Sequence, residues 1–236
     1  MIKLAIAGAC GKMGTRILNL AQADKYFKVT VLLEHSSSPK ISEEISGIKI
    51  TSNLEEIKNS DILIDFTLPE ATLEHLKFCL ANKKPIVIGT TGFSAEQISV
   101  IKEVAKKIPV VFSPNMSIGV NVLFRMLKEA ASKLKDYKIK IYEAHHIHKK
   151  DSPSGTAKKL AQIIKAASGI EVTDFDVKRE GEIIGDHKVT FEGPFDTIEL
   201  SHFAKTRDIF ASGAITAAKW LVNKKPGLYD MQDILN

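Results

Sequence analysis

Three histidines and two lysines fall within six positions, at His145, His146, His148, Lys149 and Lys150, in a chain with seven histidines in all. That density admits two chemistries. The first is metal binding by imidazole nitrogens. Against it, neighbouring residues on an extended segment point to opposite faces, and no Cys, Asp or Glu stands at helpful spacing. No metal is therefore expected. The second is an anion pocket with acid–base catalysis. Lys149 is a compact charge that can release a proton when desolvated. His146 and Lys149 can pair with carboxylates. Adjacent extended residues face opposite ways, so one of Lys149 and Lys150 is expected to face solvent, and Asp151 to balance the local lysines.

Directly afterwards, Ser152-Pro153-Ser154-Gly155-Thr156 leads into a helical pattern. Ser154 is a natural N-cap, which leaves the N–H groups of Gly155 and Thr156 at a positive helix end. A carboxylate docked there would meet backbone N–H groups, hydroxyls and nearby cations together. The bland alternative is an ordinary helix cap.

A second motif lies at the start of the chain. Gly8-Ala9-Cys10-Gly11-Lys12-Met13-Gly14 sits between an apolar run and a helical pattern. Glycines there let a pyrophosphate approach the backbone at a helix N-terminus. The spacing G-x-x-G-x-x-G is not the commoner dinucleotide fingerprint. Its context compensates: it follows a strand, opens a helix, and is followed about 20 residues on by Glu34 at the end of the next strand, where an acid holds a ribose diol. Lys12 and His35 are near enough in sequence to meet a 2′-phosphate. The motif thus points to NADH, with NADPH tolerated.

The elements that must carry these motifs follow from periodicity. Ile2–Ala7, Val29–Leu33, Asp61–Asp65, Pro85–Ile88 and Val110–Phe112 read as strands. Helical patterns over Thr15–Gln22, Ala71–Leu80 and Ser94–Lys107 alternate with them, and such alternation means a parallel sheet covered on both faces. The rhythm then changes. A long helix over Ser117–Leu134, with Leu123, Met126, Leu127, Ala130 and Leu134 inward, precedes a strand Ile139–Glu143 that exits into the histidine loop. A helix over Gly155–Ala167 and strands near Val172–Lys178, His187–Glu192 and Thr197–Phe203 suggest an α+β second domain. A final helix, Ile209–Val222, closes the pattern. The expected domains are residues 1–116 with 207–236, and residues 117–206. A cleft between them would let closure exclude water.

Composition narrows the class. Apolar residues are 44% and charged residues 26%, which excludes disorder and collagen-like repeats. Two cysteines, Cys10 and Cys79, make neither a disulfide scaffold nor a metal framework and suit a reducing compartment. The basic-then-apolar start is too short and glycine-broken for a signal peptide, so a cytoplasmic location is expected. No apolar run approaches the roughly 18 residues of a membrane span. The formal charge of +5 permits a nucleic-acid partner. The basic residues are scattered, however, aromatics are 7%, and no helix-turn-helix or RNA-binding signature occurs. Neither nucleic acid nor membrane is expected as a partner. A nicotinamide-dependent reductase acting on some other acid, a nucleotide-sensing protein and a metalloenzyme stay open as alternatives at this level.

The motifs occur in an order that resembles the 4-hydroxy-tetrahydrodipicolinate reductase (dihydrodipicolinate reductase) family. They are Gly8–Gly14, Asp65-Phe66-Thr67, Gly89-Thr90-Thr91-Gly92, Asn115-Met116-Ser117 with Gly119-Val120-Asn121, and above all His145–Thr156. Gly181–His187 and Arg207–Leu221 look similar as well. The resemblance spans essentially the whole chain. It implies a Rossmann-like parallel-sheet domain plus an α+β substrate and oligomerisation domain, a homotetramer, and NADH- or NADPH-dependent reduction of a small cyclic dicarboxylate of lysine and diaminopimelate biosynthesis. By this resemblance Gly8, Ala9, Cys10, Gly11, Lys12, Met13, Glu34, Gly89, Thr90, Thr91, Ser113, Pro114, Asn115 and Met116 line the cofactor. His145 is then a proton donor and acceptor and Lys149 a proton donor, while His146, Ser154, Gly155 and Thr156 bind substrate. Ile147 and His35 stand where members often carry arginine, and Met116 where they often carry an aromatic residue. The stretches between Glu34 and Asp61 and before Gly181 are compact against longer members.

Overall fold

The apolar run IKLAIA forms strand β1 (Ile2–Ala7), whose last four residues are buried. In chain order there follow α1 (Lys12–Ala23), β2 (Phe27–Leu33), β3 (Glu44–Ile45), β4 (Ile48–Thr51), a 3-10 turn over Leu54–Asn59, β5 (Ile62–Asp65), α2 (Pro69–Ala81), β6 (Ile86–Ile88), α3 (Ala95–Ala105) and β7 (Pro109–Phe112). Next come α4 (Ile118–Lys133), β8 (Lys138–His145), α5 (Gly155–Ser168), β9 (Phe175–Arg179), β10 (Asp186–Glu192), β11 (Thr197–Phe203), α6 (Asp208–Leu221), β12 (Gly227–Tyr229) and α7 (Met231–Ile234). The computed structural model describes every residue, Met1–Asn236, and the chain divides into two units: Met1–Ser117 with Phe210–Asn236, and Ile118–Ile209.

The first unit holds an eight-stranded sheet in the order β12-β7-β6-β5-β1-β2-β4-β3. All neighbours are parallel except β3 and β4. The order reverses beside β1, and ligands bind at the carboxyl ends of strands at such a switch point. The central strands are buried on both faces, so they read as continuous apolar runs rather than alternating ones. Leu4, Ile6, Leu63, Ile64, Ile86 and Val110 are fully buried. Helix α3 starts at a capping box formed by Ser94 and Gln97. The hairpin β3–β4, the 3-10 turn and β12 were not foreseen. Strands β3 and β4 have two and four residues and β12 has three at the sheet edge beside β7, too short for periodicity to reveal.

The second unit carries a four-stranded sheet in the order β11-β10-β8-β9. β10 is antiparallel to both neighbours, whereas β8 and β9 are parallel and joined through α5. The unit therefore contains one β–α–β crossover, which the sequence pattern had not suggested. Leu123, Leu127, Leu160, Ile164, Val189 and Phe191 form its core. Two expectations are corrected. Met126 is half exposed, because the buried stripe of α4 runs through Val120, Leu123, Phe124, Leu127 and Ala131 and misses it. Strand β8 continues to His145, because the ladder to β9 reaches as far as the pair His145 and Arg179. His145 is thus a strand residue, not a loop residue. No helix is long and apolar enough to cross a membrane.

Candidate active site

In the first unit the glycine turn joins β1 to α1. Gly8 adopts φ +74, and a Cβ there would stand 2.8 Å from the Phe66 carbonyl oxygen. A Cβ on Gly14 would drive into the Gly8 carbonyl, so the helix can pack on the turn only with glycine there. Helix α1 begins at Lys12 behind Gly11, and no side chain caps it. Its first N–H groups, with Lys12 and Met13 in the opening turn, form an anion-binding end of the kind a pyrophosphate uses. Glu34 follows β2, and its Oε2 accepts from the Cys10 N–H at 3.0 Å, which brings the acid onto the turn. The Cys10 thiol is pushed up by burial and by the adjacent Glu34 charge, and Lys40 lies close enough to oppose this. Lys40 is a cation that sequence distance had hidden. These features fit a dinucleotide: glycines where phosphates approach, an open helix end, and an acid at the second strand.

Two neighbouring loops are tied to one buried carboxylate. Asp65, the last residue of β5, accepts from the Thr67 N–H at 3.0 Å, Thr67 Oγ1 at 2.6 Å and Thr72 Oγ1 at 3.2 Å, while its other oxygen lies 2.7 Å from His75 Nδ1. Thr90 Oγ1 accepts from the Thr67 N–H at 3.0 Å and meets Thr72 Oγ1 at 2.9 Å. The Thr90 hydroxyl is consequently occupied inside the protein, and the residue is buried. Thr91 is exposed and Gly89 half-buried. After β7, Ser113 Oγ donates to the Asn115 carbonyl at 2.9 Å, and Asn115 Oδ1 accepts from the Ser117 N–H at 2.9 Å. Pro114 is exposed, whereas the Met116 side chain is buried.

In the second unit the histidine cluster is divided by the end of β8. His145 is buried, His146 half-buried, and Ile147 and His148 exposed. His146 donates its N–H to the Ile183 carbonyl at 2.6 Å, and burial and the nearby Arg207 charge lower its pKa. Lys149 Nζ pairs with Asp151 Oδ1 at 2.7 Å, while Lys150 faces solvent. Ser154 caps α5 by accepting from the Ala157 N–H at 3.2 Å, with Gly155 and Thr156 in the first turn. Asp151 is held below the usual carboxylate range by Lys149 first, with the Gly155 N–H contributing. This cation and helix start therefore already engage one carboxylate of the chain.

Sequence reasoning missed the groups beneath this surface. Glu143, His145 and His187 are all buried and bring potential ligand atoms within 4.8 Å of one another. Arg179 Nη2 donates to the same Glu143 carboxylate at 3.0 Å, and its charge opposes a cation there. An acid two positions before His145 on a strand shares its face, and that spacing was the available signal.

Comparison with known proteins converges with this geometry. Residues 2–116 match the N-terminus of dihydrodipicolinate reductase and residues 119–235 its C-terminus. A 4-hydroxy-tetrahydrodipicolinate reductase of Syntrophotalea carbinolica is 43% identical over 100% of this chain and 99% of its own length. One from Syntrophus aciditrophicus is 41% identical over 100% and 98%. The solved structure of dipicolinate-bound dihydrodipicolinate reductase from Paenisporosarcina sp. TG-14 superposes with TM-score 0.87 at 26% identity, covering 99% of each chain. Fold, glycine turn and matches together define an oxidoreductase with a Rossmann-like domain that uses a pyridine nucleotide. The chain belongs to the dihydrodipicolinate reductase family.

Proposed function

We propose that this chain reduces 4-hydroxy-tetrahydrodipicolinate to tetrahydrodipicolinate in diaminopimelate and lysine biosynthesis, with NADH or NADPH as reductant. The observation that carries this reading is the grouping of His145, His146 and Lys149 with the start of α5 in one unit, already engaging a carboxylate through Lys149 and Gly155. A dicarboxylate asks for such a cradle: backbone N–H groups at a helix end, a hydroxyl and a point cation. Ser154, Gly155, Thr156 and His146 hold the substrate carboxylates in this reading.

The bound reduced nicotinamide supplies a hydride. The conversion also consumes a proton and releases water. Hydride addition to a conjugated ring leaves an electron pair that needs that proton, and a positioned acid avoids an unstabilised anion. Lys149 and His145 fill this role. Gly8, Ala9, Cys10, Gly11, Lys12 and Met13 bind the pyrophosphate through backbone groups and the α1 end. Glu34 takes the ribose diol and favours NADH, while Lys12, His35 and Lys40 permit NADPH. Gly89, Thr90, Thr91, Ser113, Pro114, Asn115 and Met116 complete the cofactor site, Thr90 and Met116 through their backbones.

The first unit with its returning C-terminal segment acts as the cofactor domain, and the second as the substrate and assembly domain of a homotetramer. The assembly is supported by the sheet of the second unit, where Lys188, Ser201 and Phe203 lie on the face away from Val189 and Phe191 of the core. The cytoplasm is assigned on two unpaired cysteines. Steady-state kinetics with NADH and NADPH on enzymatically generated substrate tests the reading. Turnover with either cofactor supports it, and none with both overturns it.

A further inference from the structure

Glu143 has no part in the roles assigned above, yet it lies beneath them. It precedes His145 by two positions on β8, so both side chains leave one face of the strand. In the antiparallel ladder His187 of β10 stands opposite Glu143, and opposed residues share a face. Strand register alone gathers the three. All are buried, with Glu143 at 0%, His145 at 7% and His187 at 4% exposure.

The two carboxylate oxygens differ. Oε1 accepts from the Ser154 N–H at 2.9 Å and from Arg179 Nη2 at 3.0 Å. Oε2 has no aligned hydrogen bond; it faces His145 Nδ1 at 3.0 Å, with the ring N–H off the line of contact, and His187 Nε2 at 3.9 Å. Burial opposes the charge of Glu143, but His145, Ser154 and Arg179 outweigh it and hold the carboxyl ionised, well below its usual range. His187 is driven the other way. Burial first, then the neighbouring His145, lower it to about 3, so it is neutral at pH 7. The His187 ring meets that of His145 edge-on at 5.2 Å. Within the trio, His145 Nδ1 is the ring nitrogen nearest Oε2.

We propose that Glu143 is a positioning residue for proton transfer by His145. Its Oε2 keeps a proton on Nδ1, which leaves Nε2 to face the bound molecule, and it stabilises the imidazolium when Nε2 is also protonated. The step balances simply. The Nε2–H bond breaks, a new bond to hydrogen forms on the atom that received the electron pair, His145 becomes neutral, and Glu143 stays ionised throughout. Gly185 belongs to the same device: a Cβ there would stand 3.1 Å from His145 Nε2, so glycine keeps that nitrogen approachable. Through Oε1 the same carboxylate also fixes Ser154, the cap of α5. One buried group thereby sets both the acid and the anion-binding helix end. This proposal rests on the reading of His145 as proton donor and acceptor.

The test is Glu143→Gln, in single form and in a His145→Gln background. It is read by kcat, by the pH profile of kcat/KM and by ring-nitrogen NMR of histidine-labelled protein. Neutral His145 should carry its proton on Nδ1 in the unaltered protein. Glu143→Gln should move the neutral His145 tautomer toward Nε2 and lower kcat by about 10²-fold. In the His145→Gln background the same change should alter kcat by less than about twofold, since the amide oxygen of Gln still accepts from the Ser154 N–H and only the action through His145 is lost. Equal losses in both backgrounds, a bare Nδ1, or a stoichiometric metal that Glu143→Gln releases would each overturn the proposal. Gly185→Ala, which keeps Glu143, should lower kcat with the tautomer unchanged; full activity would count against the role of Nε2. The tautomer is read without substrate or variant, so it decides this point even if the reductase reading fails in the kinetic assay.

Discussion

Asp65 and Glu143 are both buried carboxylates near the end of a sheet strand, one in each unit, Asp65 the last residue of β5 and Glu143 two before the end of β8, and they are satisfied to different degrees. Both Asp65 oxygens are occupied, one by Thr67 and Thr72 and the other by His75. Glu143 spends one oxygen on Ser154 and Arg179 and turns the other toward a histidine without an aligned hydrogen bond. A saturated carboxylate has no capacity left for chemistry. What it does is fix geometry, here the loops after β5 and β6. A half-satisfied one has an interaction in reserve that strengthens when its neighbour gains a proton. In the proposed reading, the contrast separates a group that builds the cofactor site from a group that tunes a reacting one.

The largest effect should fall on the reacting side. Lys149→Ala is expected to cut kcat by about 10²–10⁴-fold while changing unfolding free energy by less than about 1 kcal/mol. A kcat within a few-fold of the unaltered protein would remove Lys149 from the reaction. Asp65→Asn should show the reverse. It keeps the size but replaces an acceptor by donors facing other donors, so urea unfolding should record a loss of about 3 kcal/mol. Unchanged stability with a collapsed kcat would dissolve the comparison. Smaller effects belong to the binding contacts. Thr156→Val should raise the KM for the dicarboxylate about tenfold with kcat retained, because one hydroxyl of uniform binding is lost. Glu34→Ala should weaken NADH by a similar factor, and unchanged affinity would end its ribose role.

The same contrast explains what could be read from the chain alone. The first sheet was legible because its central strands are covered on both faces, which forces runs such as Leu4–Ala7 and Ile62–Ile64 to be apolar throughout. The hairpin Glu44–Thr51 and the edge strand Gly227–Tyr229 carry no such signature. His145, His146, Lys149 and Ser154–Thr156 were legible because local crowding of functional side chains is visible in one dimension. Glu143, Arg179 and His187 were not. They meet only through the ladders of β8 with β9 and β10, and register is a property of the folded sheet. A lone glutamate in a strand reads as solvent-facing until the helix start and the guanidinium that bury its charge are placed beside it.

The last effect concerns acid, and its sign follows from the same trio. His187 has a folded-state pKa of about 3, against about 6.5 when unfolded. Between those values the unfolded chain takes a proton that the folded chain refuses, so stability falls as pH drops from about 6.5 toward 3. His202 and His146, both lowered with burial as the first cause, act in the same direction. Glu143 contributes later. Its folded pKa is depressed, so its stabilisation is present above the unfolded value of about 4.3 and is lost as pH falls further. The windows are therefore separable. Between pH 6.5 and 4.5, His187→Gln should remove a slope of up to about 1 kcal/mol per pH unit, read by hydrogen exchange of the β8 and β10 amides. An undiminished slope in that variant would move the proton uptake to His202 or His146. Glu143 would then sit beside a histidine able to charge in the folded state, and its second oxygen would no longer be reserved for His145.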